Sequence, residues 1–288
     1  MKPIFERAVI AGVGLIGGSL AIAGKKAGVF GTVVGLGRTE ATLNRALALG
    51  IADEISSDIA QALKGADFFF ISTPVESIIP LCIKAVPFMK DGCVVTDGGS
   101  VKGKIVRELT KALPSSVKFI GGHPVAGTEK SGPDSAFATL YENRYTILTP
   151  TATTDPTALN RVTKMWEAVG SKVITMSPDE HDEALAVISH LPHLAAYALV
   201  ETLDKTDKSG EIKKFVAGGF KDITRIAASH PEMWRDIFEM NKAEVLRSVT
   251  NFEASMAGFK KDIENGDFDS LLKKLENAKN LRLAIENQ

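Results

Sequence analysis

Cysteine and net charge are both nearly absent from this chain, and each scarcity removes whole classes of function. Cys82 and Cys93 are the only two cysteines in 288 residues. They make neither a disulfide framework nor a cysteine-based zinc site, so a reducing, cytoplasmic setting is expected. With 34 basic against 35 acidic residues the formal charge is -1, which leaves no electrostatic case for nucleic acid or an anionic membrane. Long hydrophobic runs are missing as well. The apolar stretch 8–23 is interrupted by glycines and preceded by Glu6 and Arg7, so it reads as strand, turn and helix rather than signal peptide or membrane span. There is no internal repeat and no low-complexity segment. What remains is 44% hydrophobic and 24% charged, the balance of a soluble globular protein long enough for two domains.

The first half alternates short apolar runs (8–11, 32–36, 68–72, 94–97, 118–121, 145–149 and 172–176) with amphipathic stretches at 17–27, 40–49, 59–63 and 102–113. That alternation predicts an α/β domain with a parallel sheet and right-handed crossovers. The unbroken run Phe68-Phe69-Phe70-Ile71 suits a strand covered on both faces. After Met176 the pattern changes. Ser177-Pro178-Asp179-Glu180 marks a helix start, and 179–203, 212–215, 233–265 and 268–286 read as helices with no strand between them. The expectation is a Rossmann-type domain over 1–176 and an all-α domain over 177–288. The long pattern 233–265 exceeds an ordinary globular helix and points to a homodimer formed through the C-terminal helices.

Gly12-Val13-Gly14-Leu15-Ile16-Gly17 lies between the first strand and the first helix, where the spacing has a mechanism. The glycines allow a tight turn, close approach of backbone to a pyrophosphate, and close packing of helix on strand. The helix N-terminus supplies free N–H groups and partial positive charge. The second strand ends Gly35-Leu36-Gly37-Arg38-Thr39, with Gly37 where an acid would bind the ribose 2′-hydroxyl of NAD. Arg38 and Thr39 suit a 2′-phosphate, so NADP is favoured and NAD stays open. Thr73 and Pro74 after one strand, and Ser100 after the next, border the expected nicotinamide half. Ser100 reads either as a polar site residue or as the cap of the following helix.

His123 sits in Gly121-Gly122-His123-Pro124-Val125-Ala126-Gly127-Thr128-Glu129, among small residues that let backbone approach a ligand. A histidine near a nicotinamide cofactor is suited to removing a hydride from a carbon that bears a hydroxyl, because its ordinary pKa of about 6.5 makes it a base near neutrality. His181, His190 and His193 raise a metal reading, but Pro192 disrupts their helical register and no cysteine assists, so no metal is expected. His190 reads as a buried, hydrogen-bonded residue and His230 as a turn residue.

The Gly12–Gly18 turn, Asp97-Gly98-Gly99-Ser100-Val101-Lys102, the His123 segment, Ser189-His190-Leu191-Pro192-His193 and the run from Gly218 to Ala227 occur in that order. Together they resemble the prephenate and arogenate dehydrogenases of tyrosine biosynthesis, from about Ile4 to about Phe238. The resemblance implies NAD(P)-dependent oxidative decarboxylation of a cyclohexadienol and a helical dimerisation domain. It implies that His123 accepts the hydrogen bond of the ring 4-hydroxyl and that Ser100 orients His123 or touches that hydroxyl. Arg225 is implied as the carboxylate anchor, with His193, Lys221 and Trp234 bordering the substrate and Glu129 gating entry. Aromatisation drives the loss of carbon dioxide, so no metal is implied. Two positions depart from the family pattern: Gly37, which lacks the acid, and Gly98, where a bulkier polar residue is frequent.

The competing enzyme reading is a β-hydroxyacid or 6-phosphogluconate-type dehydrogenase, with Lys221 as the proton-transfer group and no role for the His123 segment. A non-catalytic NADP-binding sensor would need a degenerate substrate site, whereas here the candidate base and anion-binding groups are all present.

Overall fold

The computed structural model describes residues 2–127 and 130–286. Its strands are β1 (Phe5–Ala11), β2 (Phe30–Leu36), β3 (Glu54–Ser56), β4 (Phe68–Ile71), β5 (Val94–Asp97), β6 (Lys118–Pro124), β7 (Tyr145–Thr149) and β8 (Lys172–Thr175). They form one sheet in the order β3-β2-β1-β4-β5-β6-β7-β8. The first six reproduce the doubly wound 3-2-1-4-5-6 arrangement of dinucleotide-binding sheets. Helices α1 (Leu15–Lys26), α2 (Glu40–Ala48), α3 (Ile59–Leu63), α4 (Val75–Ala85), α5 (Gly103–Ala112) and α6 (Pro156–Ala168) connect them.

The phenylalanine run shows why the sheet is buried on both faces. All four residues of β4 are fully buried, and their period-two alternation sends Phe68 and Phe70 into one core and Phe69 and Ile71 into the other. Burying each such side chain contributes roughly 1.5–3 kcal/mol. Phe70 meets Trp166 of α6 edge-on, with ring centroids 5.9 Å apart.

The sheet is not wholly parallel: β7 runs antiparallel to β6 and parallel to β8. The physical reason is the connection. Parallel neighbours are usually joined by a helical crossover that carries the chain back across the sheet. Between β6 and β7 the only regular element among the described residues is the single 3-10 turn Pro133–Ser135. The short edge strand β3 escapes the sequence pattern, since three mostly polar residues carry no periodic signal.

Beyond β8 every regular element among the described residues is helical: α7 (Pro178–Leu185), α8 (Leu191–Thr206), α9 (Gly218–Thr224), α10 (Pro231–Met240), α11 (Lys242–Asn265) and α12 (Phe268–Glu286). Ser177 opens α7 with a full capping box. Its Oγ accepts from the Glu180 N–H, and the Glu180 carboxylate accepts from the Ser177 N–H. The expected helix 179–203 is interrupted by a π-turn, Ala186–His190. Pro192 has no N–H to donate, so the α-helical ladder cannot continue through it. The expected helix 233–265 also divides, at Asn241, whose buried side chain turns inward to bond the Asp182 carbonyl and His190.

The stretch Pro178–Thr206 is long and apolar enough to cross a membrane by length and composition. Buried within it are the polar residues His181, Asp182 and His190, bonded to other parts of the α/β domain and to Asn241. Each of these groups has a protein partner, while much of the apolar surface of the stretch, including Val187, Ile188, Leu199 and Val200, is exposed.

Two compact units divide the chain, Met1–Lys242 and Ala243–Gln288. The change from sheet to helix near residue 176 therefore lies within the first unit. In the second, α12 folds back along α11 through Gly266, whose φ of +67° favours glycine. Lys274 bonds Asp262 at 2.6 Å and the Gly258 carbonyl at 3.1 Å, tying the two helices together.

Candidate active site

The turn after β1 is held by groups that leave no room for side chains. Gly12 has φ +87°, and a Cβ there would lie 2.7 Å from the Ser72 carbonyl oxygen. At Gly17 a Cβ would come within 2.1 Å of the Gly12 oxygen. Ser72 Oγ donates to Gly12 O at 2.7 Å and Tyr141 Oη to Ile16 O at 2.5 Å, so both sides of the turn are pinned. Around Gly14 there is open space instead: an added Cβ would meet its nearest neighbour, Gly132 N, only at 3.8 Å. Helix α1 starts here with no capping side chain and no acid in its first turn. Free N–H groups, an open approach at Gly14 and no negative charge are what a dinucleotide pyrophosphate requires, so these residues fit a nicotinamide dinucleotide.

The expected cofactor residues follow the strand ends. Leu15 is buried and Ile16 half-buried in the first turn of α1, while Arg38 and Thr39 are exposed past β2. Pro74 starts α4, and the Thr73 hydroxyl is buried with no hydrogen-bond partner among the described residues. Ser100 is half-buried past β5 and caps nothing, because α5 begins at Gly103 with Lys102 as its cap residue. The Lys102 and Gly103 N–H groups donate to the Asp182 carboxylate at 2.7 and 2.8 Å, so the cap of α5 comes from α7.

Sequence reasoning missed the buried pair beneath this point. Lys102 and Asp97 are both fully buried and form an ion pair. Lys102 Nζ also donates to Gly122 O at 2.8 Å, and the Gly122 N–H donates to Asp97 at 3.2 Å. The ends of β5 and β6 are thus locked next to His123. Burial draws the Lys102 ammonium below its ordinary range against the opposing pull of Asp97. A Lys-Gly dipeptide opening a helix usually signals a solvated cation, so although Asp97 and Lys102 bound the Asp97–Lys102 motif, nothing in that pattern marks them as a buried pair.

His123 stands at the carboxyl end of β6, buried, with Nδ1 2.8 Å from His181 Nε2. His181 Nδ1 lies in turn 2.8 Å from Asp182 Oδ1. His123 is held well below its ordinary pKa, first by burial and then by His181, Lys102 and His190. His181 is lowered by burial against the pull of Asp182. Both imidazoles are therefore neutral near pH 7. The described partner that orients His123 is His181, which the sequence placed only among possible metal ligands; Ser100 is not among its hydrogen-bond partners.

A second group of rings continues the array. Asn241 Nδ2 reaches His190 Nδ1 at 3.2 Å, and His190 meets Trp234 edge-on at 6.1 Å. His193 stacks on Trp234 at 3.7 Å and bonds the Ser189 carbonyl through Nδ1. Burial, and then the charge of Arg225, lowers the His193 pKa against that bond, which places the guanidinium within electrostatic reach of the ring. Arg225 is exposed in the turn after α9. Lys221 is exposed on α9, and no described bond joins it to the histidines. Glu129 lies outside the described residues. His190 Nε2 and Trp234 Nε1 are buried with no partner among the described residues. Two surface hollows of about 500 and 650 Å³ lie elsewhere, beside Glu142 and beside Thr153, and contain none of these groups.

The chain resembles known proteins over nearly its whole length. The chain matches the family model of the prephenate dehydrogenase nucleotide-binding domain over residues 20–175 and that of the prephenate dehydrogenase dimerization domain over 177–277. It is 35% identical over 285 residues to a cyclohexadienyl dehydrogenase of Zymomonas mobilis, covering 98% of this chain and 97% of that one. Its fold is similar to that of a prephenate dehydrogenase from A. aeolicus solved with hydroxyphenyl propionate and NAD+, with a TM-score of 0.93, 40% identity, and 97% and 98% of the two chains covered. It is also similar to a Synechocystis arogenate dehydrogenase, with a TM-score of 0.83, 31% identity, and 96% and 98% covered. With a dinucleotide turn, a buried histidine at the end of β6 and matches spanning both parts of the sequence, the chain belongs to the prephenate dehydrogenase family.

Proposed function

We propose that this chain oxidatively decarboxylates prephenate or arogenate, giving 4-hydroxyphenylpyruvate or tyrosine with carbon dioxide, while the nicotinamide dinucleotide takes up a hydride. The observation that carries the reading is His123: buried, neutral, anchored through Nδ1 and positioned at the carboxyl edge of the sheet where ligands of such folds bind. With Nδ1 engaged, Nε2 is the nitrogen that accepts the substrate's 4-hydroxyl proton as the same carbon is oxidised. When carbon dioxide leaves and the ring becomes aromatic, its bonding electrons move to that oxygen, and His123 returns the proton. One histidine thus serves first as base and then as acid, and the net proton balance is zero. Ser100, half-buried past β5, contacts the same hydroxyl.

The other roles follow from position. Arg225 pairs with a substrate carboxylate through its planar fork, and the stacked His193 and Trp234 shape the wall beside it. Two roles rest on the family resemblance instead: Lys221 adds positive charge to the substrate site, and Glu129 gates entry. Gly37 offers no carboxylate to repel a 2′-phosphate and Arg38 is exposed beside it, which favours NADP over NAD. A kcat/KM for NADP well below that for NAD would refute this role for Arg38. The accompanying setting is the cytoplasm, where the free, buried Cys82 and Cys93 stay reduced.

The β-hydroxyacid or 6-phosphogluconate-type alternative is not favoured, since its proton-transfer group would be Lys221, exposed on α9. A steady-state comparison of prephenate, arogenate and small 3-hydroxy acids, each with NAD and NADP, tests the whole reading. Turnover of a cyclohexadienol is expected, and turnover of 3-hydroxy acids alone would overturn it.

A further inference from the structure

We infer that His181 and Asp182 form a positioning pair that fixes the protonation state of His123 and carries the positive charge created when it accepts a proton. This rests on the proposed role of His123 as the base. Asp182 is the fixed end of the pair, because its carboxylate receives the Lys102 and Gly103 N–H groups as well as His181 Nδ1. Burial opposes its charge, but these donors hold the carboxyl below its ordinary range, so it is an acceptor only. His181 must therefore carry its proton on Nδ1, which leaves Nε2 as a lone pair. That lone pair, 2.8 Å from His123 Nδ1, admits only a proton carried by His123 on Nδ1. It follows that neutral His123 presents an unprotonated Nε2, the form a base needs. The tautomer is thus set two residues away.

The same chain handles charge. When the substrate hydroxyl proton binds His123 Nε2, the new cation shares its Nδ1 proton with His181 Nε2, and the ionised Asp182 lies directly behind. No oxidant or further co-reactant enters: the proton moves from oxygen to nitrogen, the Nδ1 proton is shared along an existing bond, and both return on reprotonation. The logic matches that of a base oriented by a third, ionised group. The other charged and titratable groups facing the pair are Lys102 and Asp97 from the β5 end and His190 from the π-turn. Lys102 and His190 disfavour the cation on His123, so Asp182 supplies the compensating negative charge on the side of His181.

The test uses the full chain saturated with oxidised dinucleotide. Ring-15N histidine spectra, recorded above the histidine titration range and assigned by the resonances lost in His123→Asn, should show His123 protonated on Nδ1. In His181→Phe that preference should disappear. His181→Gln keeps a carbonyl acceptor but cannot share a proton, so it should restore the tautomer without restoring the charge relay. Accordingly kcat should fall about 100-fold in His181→Phe and about tenfold in His181→Gln, with substrate KM within about threefold throughout. Unchanged dinucleotide affinity shows that each variant is folded. A wild-type His123 protonated on Nε2, or a His181→Phe kcat within about threefold of wild type, overturns the inference. Should the wild-type chain oxidise no cyclohexadienol, the proposed function fails, while the spectra still decide whether His181 sets the tautomer.

Discussion

His123 illustrates how a residue's chemistry is set by its surroundings. A solvated imidazole would be partly protonated near neutrality, and a protonated base cannot accept the hydroxyl proton. Burial and the neighbouring Lys102 push the His123 pKa down, so the neutral form persists to lower pH than an ordinary histidine would allow. The sign follows directly: kcat/KM should stay level as pH falls past about 6.5, the ordinary histidine value, and decline only below it. A decline centred at or above that value would contradict the buried placement. His123→Asn should lower kcat by roughly 10²–10⁴ with little change in KM, measured by initial rates. Arg225→Ala should act in the opposite way, raising KM for the dianionic substrate by about tenfold or more while kcat changes less.

Elements here serve each other at their ends. Helix α7 begins with its own capping box, then spends Asp182 on capping α5 and supporting His181. Replacing Asp182 with Ala would leave two N–H groups of α5 without their acceptor, a loss of about 1–3 kcal/mol for each that stays buried. Chemical denaturation measures that loss. The π-turn adds a pH term. His190 is fully buried, with its pKa lowered from 6.5 to about 4, chiefly by burial. Below 6.5 the unfolded chain binds a proton at this site that the folded one refuses. The stability contributed by neutral His190 is therefore complete above 6.5 and drains away as pH falls towards 4, by on the order of 3 kcal/mol. In His190→Gln the fall in Tm over that interval should be shallower; an unchanged slope would assign the acid sensitivity to other groups.

At the scale of the whole molecule, the second unit is notable for what it fails to bury. Leu272, Leu275, Leu281 and Ile285 on α12, and Leu246 and Met256 on α11, are each more than half exposed, and no hydrophobic residue of α12 is buried. A pair of helices with this much exposed apolar surface suits an interface with another protein surface. The dimerization-domain match covers most of it, so a homodimer is the proposed assembly. Light scattering should give twice the 30.8 kDa chain mass, and Leu272→Glu with Leu275→Glu should reduce it. A single-chain mass for the unaltered protein would refute the assembly.

How much of this was legible beforehand depended on the range of the interaction involved. The Gly12 turn, the alternating strands and the Ser177 cap are local: spacing along the chain and elementary backbone sterics determine them, so the α/β-then-helical plan and the dinucleotide turn were visible in the residues themselves. His123 could be singled out from its setting of small residues and from family resemblance. What holds it could not. Lys102 pairs with Asp97 under the strand ends, His181 reaches His123 across 58 positions, and Asn241 reaches His190 across 51. Each of those groups has its meaning only once burial removes competing water, because the strength and direction of a buried polar contact depend on the partners the fold supplies. The break at Asn241 and the array from His123 to Asp182 were therefore decided by tertiary structure, whereas the π-turn beside Pro192 has a cause already written in the sequence.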